Sequence, residues 1–130
     1  MNSPRPDPAR EIAMIHPFRD REVRFSVEDG CLVRTVVADP ADGRSYRHRC
    51  TKDNFETVAH AINETPPEGE GITLDRIRRQ EGLPFTQAHV ALEFLKERGL
   101  VDVRHRRCYP ATTDVYLDAM IEYYALAENG

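Results

Sequence analysis

The 130-residue sequence predicts an α+β fold, with an N-terminal three-stranded antiparallel meander followed by a helix-rich half that carries its own short hairpin. Three observations predict it. Apolar and polar residues alternate from Val23 to Glu28, the period of a half-buried strand, and a β-branched stretch follows a tight turn. After Thr51 the apolar residues recur at helical spacing instead. Gly- and Pro-containing breaks then divide the second half into short pieces.

Residues 1–15 read as a tail, with three prolines among charges in the first eleven positions. Residues 12–15 form a short apolar patch stopped by His16-Pro17, either a strand or one helical turn. The meander takes residues 16–50. Val23, Phe25 and Val27 alternate with Arg24, Ser26 and Glu28. Asp29-Gly30 is a strong hairpin signal, because a tight two-residue turn needs positive φ at both positions. Cys31 to Ala38 is a β-branched returning strand, residues 39–43 turn again, and Arg44 to Cys50 is the third strand.

The second half takes residues 51–130, and residues 16–130 are expected to form one compact unit. Thr51 is the N-cap of a helix with Phe55, Val58, Ala59 and Ile62 on its inner face. Residues 65–71 are a Pro/Gly loop. Thr73 caps a short second helix carrying Leu74 and Ile77, which ends near Gly82. Thr86 is expected to cap a third helix, with Ala88, Ala91, Leu92 and Leu95 inward and Gly99 as a left-handed stop. Its exposed positions are expected to include Val90, Glu93, Phe94 and Glu97. Two short strands flank Arg104-His105-Arg106. A final helix runs from Asp114 to Glu128, capped by Thr112 or Thr113.

Composition narrows the function. Lys and Arg total 18 against 22 Asp and Glu, a net charge of −4 that argues against binding nucleic acid by bulk charge. Sixteen of the 18 bases are Arg, the better side chain for planar and bidentate contacts. Residues 1–50 hold nine Arg and eight acids, net +1; residues 51–130 hold nine bases and fourteen acids, net −5. No apolar run nears the roughly 20 residues of a membrane span, and the start lacks a secretory apolar core, so a cytoplasmic protein with no membrane contact is expected.

Three cysteines, Cys31, Cys50 and Cys108, stand at irregular spacing and read as free thiols rather than a disulfide framework. His48-x-Cys50 and His105-x-x-Cys108 lack the knuckle spacing of zinc sites, so no metal is expected. No phosphate loop, nucleophile elbow or His-Glu-x-x-His segment occurs, and Glu68 and Glu70 sit in a solvated loop. No catalytic residue and no cofactor are expected. His60 reads as a structural helix residue. An anion-binding role for the strand arginines Arg24, Arg34, Arg47 and Arg49 would require that they converge.

The order helix, short helix, turn, helix, hairpin resembles the winged helix-turn-helix superfamily, especially its MarR- and ArsR-like bacterial branches. Residues 86–112 (TQAHVALEFLKERGLVDVRHRRCYPAT) carry the likeness. Leu95, Gly99, Leu100 and Val101 lead into a basic hairpin closed by Tyr109 and Thr112. It covers residues 51–128; the meander has no counterpart in the usual pattern.

The resemblance implies a DNA-binding transcriptional regulator. By position, Thr86, Gln87, His89 and Val90 would meet the major groove, with Gln87 reading adenine and Thr86 holding a phosphate. Arg104, Arg106 and Arg107 in the wing would meet phosphates or the minor groove, beside Arg76, Arg78 and Arg79 of the second helix. Such third helices usually expose Lys or Arg, whereas this one offers carboxylates and apolar side chains. The alternative is therefore a winged-helix protein–protein interaction module that does not bind DNA. The last helix has more apolar residues than one packed face needs, so a homodimer is expected through Tyr116, Met120, Tyr123 and Tyr124.

Overall fold

A computed structural model describes residues 22–39 and 44–129; the expected tail and most of the 39–43 turn lie outside them. The described residues form an α+β fold of two three-stranded sheets and four helices. Strands β1 (Glu22–Glu28), β2 (Cys31–Asp39) and β3 (Arg44–Cys50) pair in sequence order. Asp29 and Gly30 have φ of 54° and 78°, as a two-residue hairpin turn requires.

The chain divides into two compact units, and the division crosses this sheet. Of the described residues, one unit contains 22–24, 35–39 and 44–47. Within its described part, Arg24 pairs with Glu22 at 2.7 Å, and Val23 and Tyr46 are exposed. The other unit contains residues 25–34 together with residues 48–130, and it holds the core described below.

Helix α1 (Lys52–Asn63) starts at Thr51, whose hydroxyl accepts from the Asn54 N–H at 3.2 Å, as the sequence predicts. It buries Phe55, Val58, Ala59 and Ile62 and packs on the third and fourth helices. A two-residue strand β4 (Ile72–Thr73) follows, too short to leave any periodicity in sequence. Helix α2 (Leu74–Glu81) is capped by Thr73, which accepts from Arg76 N–H at 3.1 Å, and buries Ile77. It ends at Gly82, where φ is 69° and the next N–H, of Leu83, turns back to the Arg78 carbonyl.

Helix α3 (Phe85–Glu97) has Pro84, not Thr86, at its N-cap position, with no side-chain cap hydrogen bond. Proline has the required φ and loses nothing there, because the first N–H groups of a helix have no partner within it. Thr86 therefore lies inside the first turn. Strands β5 (Val101–Arg104) and β6 (Arg107–Pro110) form the hairpin, with Val103 opposite Cys108, and β4 pairs on its free edge through β6.

Helix α4 (Val115–Asn129) starts differently from the expected threonine cap. Asp114 accepts from Leu117 N–H at 3.0 Å, and Asn63 at the end of α1 accepts from Val115 N–H at 2.8 Å. A cap supplied from 52 residues away cannot be read from local sequence.

An aromatic cluster forms the centre of the core. Phe94 meets Phe25 edge-on at 5.2 Å and Phe55 at 5.7 Å, while Phe55 stacks on Tyr123 at 5.9 Å. The Tyr123 hydroxyl donates to the Gly30 carbonyl at 2.6 Å, tying α4 to the β1–β2 turn.

Candidate partner surface on the third helix and hairpin

Helix α3 is apolar on most of its circumference. Ala88, Val90, Ala91, Leu92, Phe94 and Leu95 are buried, the pattern of a core helix rather than of a surface helix with one buried stripe. Two of these overturn the expected exposure. Val90 and Phe94, one turn apart on one face, both have no exposed surface, and Phe25 of β1 stands on Phe94. Phe25 thus packs on the Phe94 side of the helix, and Val90, fully buried, offers no surface to a groove.

A narrow strip remains open, with Phe85, Thr86, Lys96 and Glu97 exposed and His89 and Glu93 half-buried. Its charges are largely matched: Glu93 receives Lys96 at 3.2 Å and lies 3.7 Å from His89. His89 stacks on Phe85 at 5.8 Å, and its partial burial holds its pKa below the usual histidine value. Gln87 has a structural partner set. Its amide oxygen accepts from Thr51 N–H at 3.0 Å and from the Asn54 side chain at 2.7 Å, so it lacks the free oxygen that bidentate adenine reading needs.

The two arginine clusters differ. Arg78 and Arg79 both pair with Asp75, at 3.0 and 2.9 Å, while Arg76 is exposed. At the hairpin all three arginines are exposed. Arg104 lies over the Tyr109 ring at 3.9 Å, and Arg107 donates to the Glu70 carbonyl at 3.5 Å. Tyr109 donates to the same carbonyl, and its ring fills the space beside Gly71, where an added Cβ would stand 2.8 Å from it. His105 and Arg106 form the tip with φ of 52° and 69°.

Between α3, the start of α2 and the hairpin lies a groove of about 760 Å³. Buried Leu92 and Cys108 form its floor, the more exposed Phe85 and Val103 its walls, and the charged Asp75 and Arg106 also line it. Sequence reasoning missed Phe85 and Val103; no periodicity marks a side chain that shares a groove only through folding.

The last helix also departs from expectation. Tyr123 is buried against the core, and Tyr116 stacks on His60 at 3.9 Å and donates to Glu56. Glu56 is in turn held below the usual carboxylate range, chiefly by its hydrogen bond from Lys52. Tyr123 is thus not available for the expected dimer contact, whereas Leu117, Ile121 and Tyr124 form an exposed stripe.

Burial pushes the Cys50 thiol up to about 12 and the Cys108 thiol to about 11, which makes both poor nucleophiles. Among the described residues no three or more His, Cys, Asp or Glu side chains gather where a metal could sit, and no helix is long and apolar enough to cross a membrane. Comparison of the chain with family models, curated proteins and solved structures found no match.

Proposed function

We propose that residues 51–128 form a winged helix-turn-helix that serves as a protein–protein interaction module, with α2 and α3 as the helix-turn-helix and β5–β6 as the wing. One observation carries this choice over DNA binding: Phe25 occupies the Val90/Phe94 side of α3. With that side packed, α3 can offer a DNA groove only the strip from Phe85 to Glu97, which carries Glu93 and Glu97 where phosphates favour Lys or Arg. What α3 leaves open is a charge-matched strip beside an apolar groove, and such a surface suits a protein partner better than a polyanion.

Duplex DNA binding is the second reading, favoured by the exposed Arg104, Arg106 and Arg107 at the hairpin tip. Fluorescence anisotropy with a labelled random-sequence 30-base-pair duplex separates the two. The interaction module is expected to show no saturable binding tighter than about 100 µM at about 150 mM salt, the weak end of non-specific DNA affinity. Tighter binding that weakens with salt, and whose salt slope shrinks in the Arg104→Ala/Arg106→Ala/Arg107→Ala variant, would overturn the proposal.

A further inference from the structure

We infer that the groove between α3 and the β5–β6 hairpin seats a short segment of another protein in which a bulky apolar side chain stands next to a carboxylate. This deepens the reading of the chain as an interaction module and rests on it.

The apolar half of that specificity follows from the lining. Leu92 and Cys108 close the floor, while Phe85 keeps 62% and Val103 37% of their surface exposed on the walls. The volume, about 760 Å³, lies within the range of sites that enclose a ligand, so the groove admits side chains and not merely water. An exposed aromatic ring and a β-branched side chain facing one concavity are the anchors that apolar partner residues bury against.

The acidic half follows from the charged side chains that line the groove or stand beside it. Asp75 is already engaged by Arg78 and Arg79, and Lys96 by Glu93. The partial burial of His89 favours its neutral form. Arg106 has no ion-pair partner among the described residues, so the unmatched charge at the groove is positive. A carboxylate on the partner complements it, and a guanidinium offers that carboxylate two donors in a fixed fork.

The hairpin tip is built in a way that stability alone does not explain. Both turn residues lie in the left-handed region, which His adopts more readily than most residues but which the second position of such a turn usually gives to Gly, not Arg. The chain nonetheless keeps Arg106 there, at the edge of the groove.

The test is a selection of random 12-residue peptides displayed on phage against the intact chain. Enriched peptides are then measured by anisotropy on the wild type, on Val103→Glu and on the double variant His105→Asn/Arg106→Gly. The expected sequences pair Leu, Ile, Phe or Trp with Asp or Glu. Their affinity should fall roughly tenfold or more in Val103→Glu and at least threefold in the double variant. The double variant should melt at or above the wild-type temperature, because it relieves the turn, and this separates lost binding from lost folding. No enrichment, enrichment of basic or charge-indifferent peptides, or affinity unchanged in both variants would overturn the assignment. Peptides that bind both variants at full strength would leave the interaction reading standing with its partner site elsewhere. Salt-dependent DNA binding, by contrast, would overturn that reading itself.

Discussion

Phe94→Ala tests the packing on which the functional reading depends. Phe94 is fully buried and touches two rings edge-on, Phe25 at 5.2 Å and Phe55 at 5.7 Å. Truncating a core Phe costs about 3–5 kcal/mol. Edge-on ring pairs contribute about 0.5–1.5 kcal/mol each beyond their buried area, so this site belongs in the upper part of that range, about 4–5 kcal/mol. For a chain of this size one kcal/mol moves the melting temperature by about 3–5 °C, giving an expected fall of about 12–25 °C by circular dichroism. Phe94→Leu, which keeps most of the volume, should cost less than half as much. A fall of under about 4 °C for Phe94→Ala would mean that the ring faces water. In that case the side of α3 assigned to packing is open, and a DNA-reading helix becomes the better account.

Three further expectations concern the scaffold. Gly71→Ala should cost about 2–4 kcal/mol in urea unfolding, since φ is +75° and the new methyl would meet the Tyr109 ring at 2.8 Å; Gly82→Ala, with nothing within 4 Å, should cost only about 1 kcal/mol for its φ of +69°. Equal losses would show that the Tyr109 contact is absent. Asn63→Ala removes the acceptor for Val115 N–H and should cost about 1–2 kcal/mol, readable as faster amide exchange in the first turn of α4. Unchanged exchange would assign that cap to Asp114 alone. His89 has its pKa lowered from 6.5 by burial, so the unfolded chain binds its proton first. Its effect is thus a loss of stability as pH falls below about 6.5 toward its folded-state value, and His89→Gln should flatten that part of the pH profile. A profile identical to wild type would refute the assigned environment.

Much of the scaffold was legible in the sequence because its signals are local. Thr51 and Thr73 cap helices with their own side chains, Asp29-Gly30 turns a hairpin, and Gly82 and Gly99 take positive φ at helix ends. The inner faces of α1 and of α3 were read correctly at Phe55, Val58, Ala59, Ile62, Ala88, Ala91, Leu92 and Leu95. The candidate site was much less legible. The sequence puts Val90, Phe94 and Tyr123 on open faces, whereas they lie in the core; the amide of Gln87, expected to be free, is bound to α1. No local signal marks Phe85 or Val103 as surface residues, yet both are exposed, as are Leu117 and Ile121 of the apolar-rich last helix.

What the sequence determined by itself is the order and type of the elements, because strand and helix periods, caps and turn residues act within a few positions of one another. What only the tertiary structure decided is which face of α3 is free. Helical periodicity shows that a side chain is apolar and where it sits on the helix, but a helix can be covered from two sides. Here α1 covers one side and β1, more than sixty residues earlier, brings Phe25 onto another. That long-range contact makes the Phe94 side of α3 part of the core and leaves the strip from Phe85 to Glu97 as the helix's outward surface.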